Sequence, residues 1–345
     1  MEASNNKRNV PVNIDEEYYQ ISPEIIASFP KYRPPVDLFS FREDICVLAP
    51  FSRKGDRLSN VQVEELSAIC QAGNLFVSRT DHPIYSKHIV KQLDLILQDK
   101  NLKESEIADI CAQAIVARYT EFYEQPVPSI FEALFKDTAV VTEYIWQDSK
   151  RINAFVRRLF HRNLPARHAY NSMSIGLWLY MNSCAEMNRK ELDQIAVGML
   201  VHDIGMSKIP PFILAKKGPL KSEEKDKVVQ HSILGVKIIQ KTEFSSGIVA
   251  QACFEHHERL DGSGYPQRLA AKNISRVGKI AAIADSFAAM ITQRPYAPEK
   301  PMPEAARELL ADSQRYDSEL ASRLVGAFAS DSFGNFKDMD SFLDS

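Results

Sequence analysis

The spacing of apolar residues changes about a third of the way along this chain. Over roughly the first hundred residues, short apolar runs alternate with turn signals. Residues 36–41 and 45–51 read as two short strands, separated by the charged Arg42-Glu43-Asp44. Lys54-Gly55-Asp56 marks a turn, and 59–72 brings Val61, Val63, Leu66 and Ile69 into a helical pattern. Gly73-Asn74 stops that helix before a strand at 75–77, and 82–97 returns to helical period. From 103 onward strand signals fade. Helical spacing runs over 104–124, breaks at Pro126-Val127-Pro128-Ser129, and resumes over 130–147 and 149–160. It continues over 172–187, 189–201, 222–240, 246–257, 275–291 and 303–310.

The pattern predicts a mainly α protein with a small α+β domain ahead of a helical one. Residues 1–35 are polar and punctuated by Pro23, Pro30, Pro34 and Pro35, so they read as tail and linker. The α+β domain is expected over 36–100, a helical connector over 101–150 and the helical domain over 151–332. An acidic, frayed tail is expected over 333–345.

Composition narrows the function classes. Hydrophobic content of 45% and charged content of 25% describe an ordinary soluble globular protein. A net charge of -3 offers no basic field for nucleic acid or anionic membrane. An anionic ligand must then be held by local charges or by a metal. No apolar run approaches the roughly 20 residues that span a bilayer, and the N-terminus lacks an apolar signal segment. The five cysteines are scattered, odd in number and without CxxC spacing. They read as buried thiols in a reducing compartment, so a cytoplasmic location is expected.

Six of the eight histidines fall between His161 and His257. His202-Asp203 closes an apolar helix, His231 sits mid-helix in 222–240, and His256-His257 ends another helix. The last pair opens into Glu258-Arg259-Leu260-Asp261-Gly262-Ser263-Gly264-Tyr265-Pro266. Asp285 stands in the otherwise apolar 280–285, where an ionised carboxylate is costly unless compensated by a metal or by an arginine such as Arg276. His161, among Arg157, Arg158 and Arg162, reads as part of a solvated face. His168 or His231 taken singly would more often be a packed histidine than a ligand; the conjunction carries the case. Imidazole and carboxylate without nearby cysteine suit Fe, Mn, Zn or Ni. Two ions fit the seven candidates His168, His202, Asp203, His231, His256, His257 and Asp285, with Asp203 placed to bridge. Such a pair activates water and clamps both oxygens of an in-line displacement at phosphorus.

From about 164 to 328 these residues resemble the HD-GYP domains, a branch of the HD metal-dependent phosphohydrolases. The resemblance rests on His202-Asp203-Ile204-Gly205, Ile209-Pro210, Ile213-Leu214, Glu223-Glu224, His231 with Gly235 and the run from Glu255 to Pro266. Ala284-Asp285, Arg294-Pro295-Tyr296 and Tyr316-Asp317 complete it. It implies an all-helical catalytic domain that hydrolyses the bacterial messenger cyclic di-GMP to pGpG or GMP. A metal-bridging hydroxide is the implied nucleophile. By position the seven candidates match metal ligands, and the family pattern implies iron first and Mn second. Family members with a third ion carry a glutamate where this chain has Leu164, so two divalent ions are expected. Arg294 matches a substrate-contacting arginine, and Gly262, Gly264, Tyr265 and Pro266 match the signature lip of the pocket. The α+β part is similar to small regulatory domains that precede some members.

Three departures bear on activity. Met206 replaces the usual lysine after His-Asp-x-Gly, Ala288 replaces a second aspartate, and Ala297 replaces a lysine after Arg-Pro-Tyr. Lys208 is the nearest substitute cation and is expected, with Asp203, to serve catalysis. The loss of two cations raises the alternative of a weakly active or inactive receptor or interaction module. The partners implied are cyclic di-GMP, diguanylate cyclases (GGDEF proteins) or other signalling proteins, and a second copy in a homodimer. No nucleic acid or membrane partner is expected.

Overall fold

The segment expected to be a tail supplies the first strand. A computed structural model describes residues 17–21, 23–42, 47–81, 84, 93, 102–184, 186–216, 218–243, 246–294 and 298–344. The chain divides into two compact units, Met1–Ile110 and Cys111–Ser345.

In the first unit, β1 (Tyr18–Gln20), α1 (Pro23–Ser28), β2 (Leu38–Arg42), β3 (Val47–Ser52), α2 (Asn60–Gln71) and β4 (Leu75–Ser78) follow in order. The sheet is antiparallel with order β1-β4-β2-β3, pairing Tyr19 with Val77, Phe39 with Phe76 and Ser40 with Ala49. Strand alternation buries Tyr19, Leu38, Leu75 and Val77. Ile21, Ile25 and Phe29 are buried as well, so part of the supposed linker belongs to this unit's core. A three-residue strand is too short to announce a period, and the prolines masked it. Ser59 caps α2 in a capping box with Gln62, and Gly73 at φ 76° lets the chain leave the helix. The helix expected over 82–97 lies almost wholly outside the described residues.

The helices that follow are α3 (Glu104–Glu124), in which the division falls, α4 (Pro128–Gln147), α5 (Ile152–Val156), α6 (Pro165–Ser183) and α7 (Arg189–Val201). After a 3-10 turn at Ile204–Lys208 come α8 (Pro211–Leu214), α9 (Ser222–Val229), α10 (His231–Ile239) and α11 (Gly247–Glu255). The chain closes with α12 (Arg276–Met290), α13 (Met302–Ala311), α14 (Ser318–Ala329) and α15 (Met339–Asp344). The central helix is α6, buried from Ala166 to Tyr180 and packed between α7 and α12. Helix α11 packs against α7 and α12, and α10 lies on the 3-10 turn.

Three features depart from the predicted elements. Helix α6 starts at Pro165 rather than near 172, because proline is well suited to a first helical position. The single helix expected over 222–240 breaks at Gln230, so His231 opens α10 instead of sitting mid-helix. The acidic end is not frayed: Phe333 and Met339 are fully buried and Asp340 is nearly so. Two apolar anchors outweigh the polar average of that stretch.

Candidate metal centre

Helix ends deliver the site. His168 projects from the first turns of α6, His202 and Asp203 follow α7, and His231 starts α10. His256 and His257 follow α11, while Asp285 comes from the body of α12. The ligand atoms fall into two sets. His168, His202, Asp203 and Asp285 form one; Asp203, His231, His256 and His257 form the other, and within each the atoms lie within 4.8 Å of one another.

Asp203 belongs to both. Its Oδ1 is 3.1 Å from His231 Nε2 and 3.4 Å from His256 Nε2. Its Oδ2 is 3.8 Å from His168 Nε2 and 3.9 Å from His202 Nε2. Asp285 Oδ1 lies 3.1 Å from His168 Nε2 and 3.7 Å from His202 Nε2, and its Oδ2 is 3.7 Å from His257 Nδ1. Donor atoms about 2 Å from a common ion are spaced at roughly 3 Å, close to what these distances offer.

The tautomers point the same way. His202, His231 and His256 each place Nδ1 against a main-chain carbonyl, of Met199 (2.7 Å), Val228 (2.6 Å) and Ala252 (3.1 Å). A neutral ring must then carry its proton on Nδ1, leaving Nε2 a bare lone pair. Yet the Nε2 atoms of His231 and His256 face each other at 3.0 Å. Buried His202 Nε2 and Asp203 Oδ1 have no hydrogen-bond partner among the described residues. Converging lone pairs need a cation between them, so the donor set fits metal.

The electrostatics of the protein alone show the same excess of donors. Burial raises the Asp203 carboxyl, but His202, His231 and His256 outweigh it and hold it well below the usual carboxylate range. Asp285 behaves alike, burial being overcome by His168, His202 and His257. Burial lowers His202, yet Asp203 and Asp285 raise it to about 9. Burial and then the neighbouring His256 push His257 well below its ordinary value. His231 is raised as well, Asp203 outweighing burial, so two imidazoles are drawn toward the protonated form while His256 and His257 are held from it.

Above the donors opens a cavity of about 880 Å³, a size suited to a small-molecule ligand. Arg259, Arg294 and Arg315 line it, with Tyr119, Tyr123 and Tyr316 and the apolar Met206, Ile209 and Leu214. Arg294, expected as a substrate contact, is on the cavity wall. Lys208 is not: it ends the 3-10 turn exposed and does not line the cavity, whereas Met206 does. Ala288 is buried in α12, and Ala297 lies outside the described residues.

The glycine loop also differs from expectation, since Gly262, Gly264, Tyr265 and Pro266 do not line the cavity. Tyr265 and Gly264 pack against the histidines instead. Tyr265 lies against His257 at 4.6 Å between ring centroids, the rings tilted by 35°, and meets His231 edge-on at 6.2 Å. A Cβ on Gly264 would fall 2.4 Å from the His257 carbonyl oxygen and 2.5 Å from Arg259 N. Glu258 pins the loop, accepting from Gln267 N and Leu269 N, and Glu255 accepts from Ser275 N. The carboxylates flanking the His-His pair are thus scaffold. Asp285 has no tie to Arg276, whose guanidinium donates to the Ser183 carbonyl. His161 is half-exposed, with Nδ1 3.1 Å from the Ile291 carbonyl.

Sequence reading missed Arg259. It is buried, donates to the carbonyls of His256 and Glu258 and to Ser286 Oγ, and lies over the Tyr316 ring at 4.8 Å. Its place inside the histidine motif was the available signal. Arg315, half-exposed at the cavity wall, and the α3 tyrosines carried none.

This is a helical fold whose clustered His and Asp side chains could hold metal. A family model described as an HD domain matches residues 154–320. A "Cyclic di-GMP phosphodiesterase" of Thermotoga maritima is 41% identical over 137 residues, covering 38% of this chain and 37% of that protein. A protein of the same description from Pseudomonas aeruginosa is 34% identical over 128 residues, covering 37% and 31%. A "3'3'-cGAMP-specific phosphodiesterase 2" of Vibrio cholerae is 36% identical over 127 residues, covering 36% and 24%. The matches thus span well under half the length of these relatives. The solved structure of Bd1817, an HDG"Y"P protein from Bdellovibrio bacteriovorus, aligns with a TM-score of 0.59 at 16% identity. It covers 91% of this chain and 100% of that one, and shows the shared fold.

Proposed function

We propose that the helical unit is a cyclic di-GMP phosphodiesterase with two divalent ions, iron or alternatively manganese, held by the seven His and Asp side chains. The observation that carries this reading is Asp203, whose two oxygens face two separate donor sets on the floor of one arginine-lined cavity. The names of the relatives support a cyclic dinucleotide as substrate and hydrolysis as the reaction. When bound, the ions supply an activated water and Lewis acidity toward the phosphate.

The chain's own residues do the rest. The main-chain carbonyls of Met199, Val228 and Ala252 fix the proton on Nδ1 of three imidazoles and so aim their Nε2 atoms inward. Arg294, at the cavity wall, meets phosphate charge as it develops. Arg315 presents a second cation where Met206 withholds the lysine of the family pattern. Tyr119, Tyr123 and Leu214 offer an apolar, aromatic wall against which flat bases rest. The free thiols of Cys70, Cys111, Cys184 and Cys253 suit a reducing compartment such as the cytoplasm, and among the described residues no helix is long and apolar enough to cross a membrane. The first unit serves, in this reading, as a regulatory module.

The deciding assay incubates protein loaded with Fe(II) or Mn(II) with cyclic di-GMP and with 3'3'-cGAMP, and follows the linear products. Metal content is measured on the same sample. Release of pGpG or GMP supports the proposal. Two ions per chain with both dinucleotides left intact sinks it and leaves a receptor.

Two substitutions test the cavity. Arg294→Ala is expected to lower kcat/KM by about 10²-fold, as for loss of one donor to a developing anion. Lys208→Ala is expected to leave kcat/KM unchanged, because that side chain is exposed to solvent outside the cavity wall. Steady-state kinetics on both variants decides between the expected arginine and the expected lysine.

A further inference from the structure

We propose that Asp340 is a positioning residue for the metal centre, and that the C-terminal helix α15 is a working part of the site although it lies beyond the matched HD segment. The inference rests on the two-ion reading above.

Asp340 is 7% exposed and uses both carboxylate oxygens. Oδ2 accepts from the main-chain N–H groups of His161 (2.6 Å) and Arg162 (3.0 Å), and Oδ1 accepts from the Arg167 guanidinium. These partners lie far away in sequence and lead into the site along two routes. Arg167 immediately precedes His168, a donor of the first set. On the other route, His161 accepts at its carbonyl from Gln293 N (2.9 Å), and Arg162 forms a bridge with Gln293. The next residue is Arg294, on the cavity wall. One buried carboxylate thus ties the first turn of α6 and the approach to Arg294 to the end of the chain.

The tail is anchored well enough to act as a fixed point. Phe333 and Met339 are buried, and Phe333 meets Trp178 of α6 edge-on at 5.3 Å. Arg157 donates to the Phe333 carbonyl, and Lys337 N donates to the Arg157 carbonyl at 2.8 Å. None of these contacts reaches α10 or the turn after α11, where His231, His256 and His257 stand. Loosening Asp340 should therefore disturb one donor set and spare the other. Loss of a group that orients a ligand typically lowers metal affinity about 10–100-fold.

The test uses full-length, metal-free protein titrated with Mn(II) by calorimetry. Wild type is expected to take up two equivalents. Asp340→Asn retains a carbonyl acceptor but no charge for Arg167. It should bind one equivalent as wild type and the other at least about tenfold more weakly. Arg167→Gln should do the same, and His168→Ala should lose that same equivalent. Trp178, one of two tryptophans in the chain, reports by its emission whether the tail stays docked. If Asp340→Asn does not fold, Arg167→Gln decides. Wild-type binding of both equivalents in these variants, or equal weakening of both, overturns the proposal alone. A wild type that binds fewer than two equivalents overturns it together with the metal centre.

Discussion

Replacing Asp203 with asparagine is expected to lower the proposed turnover of cyclic di-GMP by at least about 10³-fold and to reduce bound metal from the proposed two ions to fewer than one. The reason is geometric. Oδ1 of Asp203 faces His231 and His256, while Oδ2 faces His168 and His202. An amide keeps the shape but offers one oxygen and no charge. Whichever way it turns, one set loses its shared donor and the other keeps only a neutral carbonyl. The set of His231, His256 and His257 is left with neutral imidazoles, a poor match for a hard divalent ion such as Mn(II). Asp285→Asn makes the comparison sharp, because Asp285 belongs to the first set only. That variant should retain about one ion and lose turnover nonetheless. Metal analysis and product formation on the same preparations check both expectations. Two ions retained by Asp203→Asn would rule out a shared carboxylate.

The donor residues were legible because their types are rare and their positions adjacent. His202-Asp203 and His256-His257 stand at helix ends, where a chain reversal brings side chains from several helices to one point. Asp285 stood out through its cost, a carboxylate among alanine and isoleucine. What sequence could not supply was direction. Lys208 is two residues from Met206, but a 3-10 turn rotates successive side chains by about 120°, and this rotation sends the lysine outward. The glycine loop is close to the histidines in sequence and was expected on the ligand's side; in three dimensions its Tyr265 and Gly264 pack against them. His231 was expected inside one long helix, and no residue at 229–230 marks the break that places it at a helix start. Short elements were lost for another reason. The three residues of β1 and the six of α15 give no period, and their burial depends on single anchors such as Tyr19, Phe333 and Met339. Arg259 shows the converse: it lies within the most conspicuous motif, yet its role as a tie between His256 and the cavity wall appears only once Ser286 and Tyr316 are beside it.

Substituting Gly205 with alanine is expected to be the most damaging single methyl addition in the helical unit. The 3-10 turn that follows Asp203 packs so closely on α10 that a Cβ on Gly205 would fall 1.9 Å from the His231 carbonyl oxygen and 2.6 Å from Gly235 N. Both neighbours are backbone, so no side chain can swing away. The turn and α10 must separate, and they carry Asp203 and His231, which face each other at 3.1 Å. Overpacking of this kind costs at least about 3 kcal/mol. For a unit of this size that corresponds to a fall in Tm of roughly 6–12 °C. The same separation weakens the second donor set, so Mn(II) should stabilise the variant less than it stabilises wild type. Gly326 provides the control. It lies within α14 with nothing within 4 Å of a built Cβ, and alanine there is expected to raise stability by about 0.5–1 kcal/mol through helix propensity. Thermal melts of both variants, with and without Mn(II), test the pair. A Gly205→Ala protein that melts with wild type and gains the same stabilisation from metal would show that the turn has room the packing denies it.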